Sequence, residues 1–251
     1  MNQYFNLTRF GRLFRKHTAE HLAPYALGAA VLLGGMLVVL GFLAYLQGGL
    51  GQTQQGVLAI LFLLASGSFF TSLVLGQFGV GSRAALALTL PASQLEKYLV
   101  AWVFSLPIFL LVFVADFYLA DWVVLSLSRE PSTLINMLRY EATPTVLGVF
   151  LVLHGVALWG SIFFQRQQFM KTAFIALLAL ALLSVANFQV LKQALAGSIV
   201  QSAYPFGTVM LRNDMPLTLP DTQLPWLALV PLALAALLWL AAYARLTEKQ
   251  L

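Results

Sequence analysis

The sequence predicts an all-α, polytopic membrane protein with six transmembrane helices, an N-terminal interfacial amphipathic helix and a partly re-entrant outer segment between helices 5 and 6. Three observations carry this expectation. Charged residues make up only 9% of the 251-residue chain and hydrophobic residues 60%, whereas a soluble domain is about 25% charged. The apolar residues fall in long uninterrupted runs, and a run of about 18 or more with few charges can cross the hydrocarbon core as a helix. The cations gather in alternate connections between those runs, as membrane topology requires. The net charge of +5 therefore has a topological origin and does not call for nucleic acid. There is no cysteine, which removes disulfide, thiolate and Cys-ligated metal chemistry.

Residues 4–20 begin the chain as a basic amphipathic helix. At 100° per residue, Leu7, Phe10, Leu13, Phe14 and His17 share one face, while Arg9, Arg12, Arg15 and Lys16 share the other. That pattern suits a helix lying in the membrane interface with its cations near anionic head groups. We expect it to form a unit over residues 1–22, with residues 23–251 forming one six-helix domain.

Span one, residues 24–46, carries Gly28, Gly34, Gly35 and Gly41, small residues that allow close helix approach. It is too long for a signal-peptide core and no A-x-A-like cleavage site follows it. Residues 47–55, QGGLGQTQQ, form an uncharged turn. Span two, residues 56–78, places Ser68, Ser72 and Gly76 at four-residue intervals, a stripe suited to helix packing. The next connection, residues 79–98, reads GVGSRAALALTLPASQLEKY. Pro91 interrupts its apolar run, and Ser93-Gln94-Leu95-Glu96 has the form of a capping box that opens a helix.

Span three, residues 98–120, contains Pro107, which neighbouring groups can accommodate. Asp116 lies near its outer end, followed by Asp121 and Trp122, which suggests an interfacial carboxylate with an aromatic anchor. Residues 123–142 are partly amphipathic and are expected along the outer surface. Span four, residues 143–164, holds His154 near its middle, read as an interhelical hydrogen-bonder. The turn QRQQFMK carries Arg166 and Lys171, and span five, residues 172–191, carries Asn187. Residues 192–223 are too long for a simple turn. Their apolar first part suggests a re-entrant helical hairpin broken at Tyr204-Pro205-Phe206-Gly207. Span six occupies residues 224–243.

With both termini inside, Arg9, Arg12, Arg15, Lys16, Arg83, Lys97, Arg166, Lys171, Arg245 and Lys249 are cytoplasmic, and only Arg129, Arg139, Lys192 and Arg212 lie outside. The positive-inside rule is met. No phosphate-binding loop, dinucleotide fingerprint, zinc-protease helix or serine-hydrolase elbow occurs. Three histidines, two of them on the leader, make a metal site unexpected, and no cofactor is expected.

The basic helix RFGRLFRKH, the six spans, the segment LPASQLEKYL before span three and the apolar excursion after span five together resemble the membrane subunit of a bacterial type-2 ABC exporter. That resemblance covers essentially the whole chain and rests on layout. It implies location in the cytoplasmic (inner) membrane, a second permease subunit as a homodimer or heterodimer, and a separate ATP-binding cassette ATPase that hydrolyses the ATP. It also implies docking of the ATPase on the inner loop, with Arg83, Leu86, Leu88, Pro91 and Glu96 as candidate contacts and residues 82–92 as the docking piece. Membrane lipid would meet Arg9, Phe10, Arg12, Phe14, Arg15 and Lys16. Two other readings stay open, an inner-membrane scaffold with no transport path and a lipid-directed enzyme using His154 and Asp116.

Overall fold

The computed structural model describes residues 5–74, 92–128, 132–140, 142–164, 167–195, 200–203, 209–211, 216–217 and 224–248. Its helices are α1 (Leu7–Gln47), α2 (Gln52–Val74), α3 (Gln94–Val103), α4 (Phe109–Leu127), α5 (Thr143–Phe163), α6 (Gln168–Ala194) and α7 (Leu224–Glu248). A π-helical turn, Phe104–Ile108, joins α3 to α4 in one span, Gln94–Leu127. Six helical stretches are long and apolar enough to cross a membrane. The chain is a multi-pass membrane protein.

The first helix differs from expectation in its continuity. The interfacial segment and the first span are one helix of 41 residues that passes through Pro24 without interruption. At 1.5 Å per residue it is about 61 Å long, roughly twice the hydrocarbon thickness. Its contacts advance in step with those of the third span: Arg9 meets Glu96, Phe14 and His17 meet Phe104, and Gly41 faces Val124. The two longest apolar segments therefore run side by side in the same direction. The N-terminal turns stand against α3 and are not a detached helix in the membrane plane. Their faces are mostly as expected, with Phe10, Leu13 and Phe14 half-buried, His17 buried and Arg12, Arg15 and Lys16 exposed. Arg9 turns inward and Leu7 outward.

Gly48 ends α1 at φ 83°, a left-handed conformation that glycine adopts without Cβ strain. The expected capping box is present, because Ser93 Oγ accepts from Glu96 N–H while the Glu96 carboxylate accepts from Ser93 N–H. The segment after α6 departs from the expected helical hairpin. Its described residues form a three-stranded antiparallel sheet, β1 (Val200–Ala203), β2 (Val209–Leu211) and β3 (Pro216–Leu217). Val200 pairs with Leu211, Ala203 with Val209, and Val209 with Leu217. Val200 and Ala203 are buried while Gln201 is exposed, a near-alternation that suits a half-buried strand. An open sheet has unpaired edge groups that hydrocarbon cannot satisfy, so this element is unsuited to lipid contact at membrane depth.

Two clusters make up the core. Met36 and Leu40 of α1, Leu63 of α2, Phe113 and Phe117 of α4 and Phe150 of α5 form the larger one. Tyr98, Ala101, Leu158, Ile162, Ala242 and Leu246 belong to the other, between α3, α5 and α7. The most apolar window of α6 has no buried residue, so that helix is peripheral. Lipid tails are as apolar as leucine, so the helices associate through close packing rather than the hydrophobic effect. Glycines make that packing close. A Cβ on Gly155 would lie 2.8 Å from Leu238 Cβ, one on Gly148 would lie 3.3 Å from Pro231 Cγ, and one on Gly67 would strike the Phe150 ring. Gly155→Val should thus lower stability by about 1–3 kcal/mol through overpacking. Gly34→Ala, where nothing lies within 4 Å, should change it by less than about 0.5 kcal/mol. Unfolding of the two variants in the same detergent distinguishes them.

Candidate functional site

The near end of the bundle, where α1 and α3 begin, is organised by a single carboxylate. Glu96 is fully buried. Its Oε1 accepts from Asn6 N–H at 2.7 Å and from Arg9 Nη2 and Nε at 3.1 and 3.2 Å, and its Oε2 accepts from Ser93 N–H at 2.9 Å. Asn6 and Ser93 are the N-caps of α1 and α3. One side chain therefore satisfies the cap N–H of both helices. The parallel helices also bring two partially positive N-termini together, and a negative group between them offsets their repulsion.

An aromatic group continues the contact one to four turns further. Phe14 and His17 lie 4.8 and 4.6 Å from the Phe104 ring, and His17 Nε2 is 2.9 Å from Tyr25 Oη. Tyr25 in turn packs edge-on against Phe70 of α2 at 5.1 Å. The start of α1 is thereby fastened to both the second and third spans.

At the centre, the π turn and Pro107 generate a polar chain across three spans. Pro107 lies inside the π turn and has no N–H to give the preceding turn, and two residues before it Ser105 Oγ donates to the Trp102 carbonyl at 3.3 Å. His154 Nε2 lies 2.9 Å from Ser105 Oγ, and Trp239 Nε1 donates to His154 Nδ1 at 3.0 Å. An indole N–H can only donate, so Nδ1 is the acceptor and the ring proton sits on Nε2. The chain runs Trp239 to His154 to Ser105 to Trp102, with every group neutral. A serine nucleophile would need Nε2 as its base, and here Nε2 carries the proton. His154 thus has the interhelical role expected from the sequence. Asp116, its proposed catalytic companion, lies about 16 Å further along the span by helical rise.

At the far end, the buried Gln55 of α2 holds residues 132–136. Its Nε2 donates to the carbonyls of Leu50 at 3.0 Å and Thr133 at 3.2 Å, and its Oε1 accepts from Ile135 N–H at 2.8 Å. Tyr118 Oη accepts from Met137 N–H at 3.1 Å. Nearby, Trp122 is exposed, whereas Asp121 faces into the protein. It is fully buried, and neither carboxylate oxygen has a hydrogen-bond partner. Asp116 Oδ2 is also buried and unpartnered.

Among the candidate docking residues, Arg83, Leu86, Leu88 and Pro91 lie outside the described residues. Glu96 is described and is unavailable as an external contact, because its oxygens are occupied by Asn6, Arg9 and Ser93 inside the chain. Arg9 likewise separates from Arg12, Arg15 and Lys16. Sequence reasoning missed Ser105, Trp239 and Gln55. The only signal for Ser105 was a hydroxyl two residues before an intramembrane proline. No cluster of three or more His, Cys, Asp or Glu that could hold a metal occurs among the described residues. Comparison with family models, curated proteins and solved structures yields no match.

Glu96→Ala would orphan two partly buried backbone donors and remove one partner of Arg9, an expected loss of about 3 kcal/mol. Arg9→Gln should cost only about 1 kcal/mol, because the guanidinium side chain is 31% exposed. A double-mutant cycle on unfolding of the purified protein measures their coupling. His154→Leu should cost about 1–3 kcal/mol by leaving the Trp239 N–H without an acceptor, and it should shift Trp239 fluorescence.

Proposed function

We propose that this chain is the membrane-spanning permease subunit of an ATP-driven exporter of the type-2 ABC class. In this reading it sits in a bacterial cytoplasmic membrane with both termini inside, pairs with a second permease subunit and docks a separate ATPase through residues 82–92. The observation that carries the reading is the Glu96 junction. It ties the residues immediately after that segment to the first turn of α1. A force applied to the segment would reach two transmembrane helices at once, which is what coupling to an external motor requires. The charge distribution, with ten cations assigned to one side and four to the other, supports the orientation.

The junction also changes the choice of test residues. Glu96 substitutions would report on folding, so docking is tested by replacing residues 82–92 with a Gly-Ser linker of equal length. The expected result is loss of co-purification with a co-expressed ATP-binding cassette ATPase, while the permease remains folded by thermal unfolding. Undiminished association would overturn docking at this segment. Assembly with a partner but no ATP-dependent transport in proteoliposomes would favour the scaffold reading.

A further inference from the structure

We propose that Asp121 is a proton-binding site, and that occupancy of its carboxyl group by a proton governs the closure of α1 against α4. The step is simple uptake and release, in which a carboxylate and a proton from water form a neutral carboxylic acid. This inference stands apart from the export reading.

The geometry begins with position. Asp121 shares a face of α4 with Phe117 and Val124, both buried. That face packs on α1, where Gly41 lies opposite Val124, with 3.9 Å between an added Cβ and Val124 Cγ2. The carboxyl group is fully buried, and neither oxygen has a donor. No hydrogen-bond donor among the described residues reaches it, so the question is whether a cation balances the charge.

Among the described residues the packed elements supply none, and Arg129 and Arg212 lie outside them. α1 has no charged residue beyond Glu20, and its Tyr45 is 82% exposed. α2 has no charged residue at all. In the segment 132–140, Arg139 is exposed, and Tyr140 is directed at Gly56. On α4 itself, Tyr118 Oη is held by Met137 N–H, and Asp116 is a second acid that would add repulsion. An ionised carboxylate without donors or a counter-charge in a low-dielectric interior is far costlier than the neutral acid. A metal ion would need several oxygen ligands, which no described cluster provides. A proton needs only the carboxyl group. Water is also close, since Asp121 lies about 9 Å of helical rise from the end of α4 at Leu127.

The consequence is mechanical. With the proton bound, the seam contains a neutral group and closes; with the proton lost, the charge draws in water and loosens α1 from α4. Protons would thus act at the far end of the same pair of helices whose near end is joined by Glu96.

Infrared spectroscopy of the full chain in lipid nanodiscs tests the site. The carbonyl stretch of a protonated carboxylic acid is expected at mildly acidic pH and to fade as pH is raised, and it should be lost in Asp121→Asn and retained in Asp116→Asn. Absence of the band, its survival in Asp121→Asn, or its response to sodium rather than to pH would overturn the proposal. The seam is tested by Gly41→Cys, which introduces the sole thiol in a cysteine-free chain. The ratio of its alkylation rate by a water-soluble maleimide to that in Gly41→Cys combined with Asp121→Asn should rise as pH is raised. The ratio cancels the intrinsic titration of the thiol. A constant ratio would overturn the link between the proton and the seam.

Discussion

The structure depends most on the carboxylate of Glu96, because it joins the starts of two helices that must run in the same direction. Parallel helices present like partial charges at neighbouring ends, and each first turn has N–H groups without intrahelical partners. Glu96 meets both problems with two oxygens, accepting from the cap of α1, the cap of α3 and the guanidinium of Arg9. From that junction the contacts between the first and third spans proceed in register through Phe14, His17 and Phe104 toward Gly41 and Val124. The position of one side chain thus sets the relation of the longest helices.

Within the bundle, the same scarcity of water determines how polar groups are used. Ser105, in the π turn with Pro107, donates to the Trp102 carbonyl and accepts the proton of His154, which in turn leaves Nδ1 for Trp239. Each bond sets the direction of the next. Gln55 shows the same economy, because its amide holds three backbone groups of the far connection. Asp121 has no such partner at either oxygen among the described residues. An unpartnered carboxyl group inside a helical bundle is costly enough that a proton is the simplest group to complete it.

Much of this was legible from residue order. The six apolar runs became six helices of sufficient length, and the capping box at Ser93 and Glu96 formed as written because it depends only on residues three apart. His154 was read as an interhelical hydrogen-bonder, and it is one. Three features were not legible. Glu96 looked free to meet a partner, since nothing in the local sequence shows that Arg9 and Asn6 will arrive from 87 and 90 residues away. The sheet after α6 looked like a broken helix because a short apolar stretch has no period long enough to separate the two. The burial of Asp121 could not be read beside the exposed Trp122, because adjacent residues on a helix differ by 100° and can face opposite environments.

By itself, the sequence determined the membrane environment, the number of apolar spans, the Ser93–Glu96 capping box and most of the faces of the N-terminal helix, because these follow from composition and from interactions within a few residues. Only the tertiary structure decided which span stands beside which, that Glu96 is consumed within the chain, which nitrogen of His154 carries the proton, and that Asp121 is buried without a partner. Those outcomes depend on groups brought together from distant parts of the chain, and in an apolar bundle a polar group's role is set by the partner it meets.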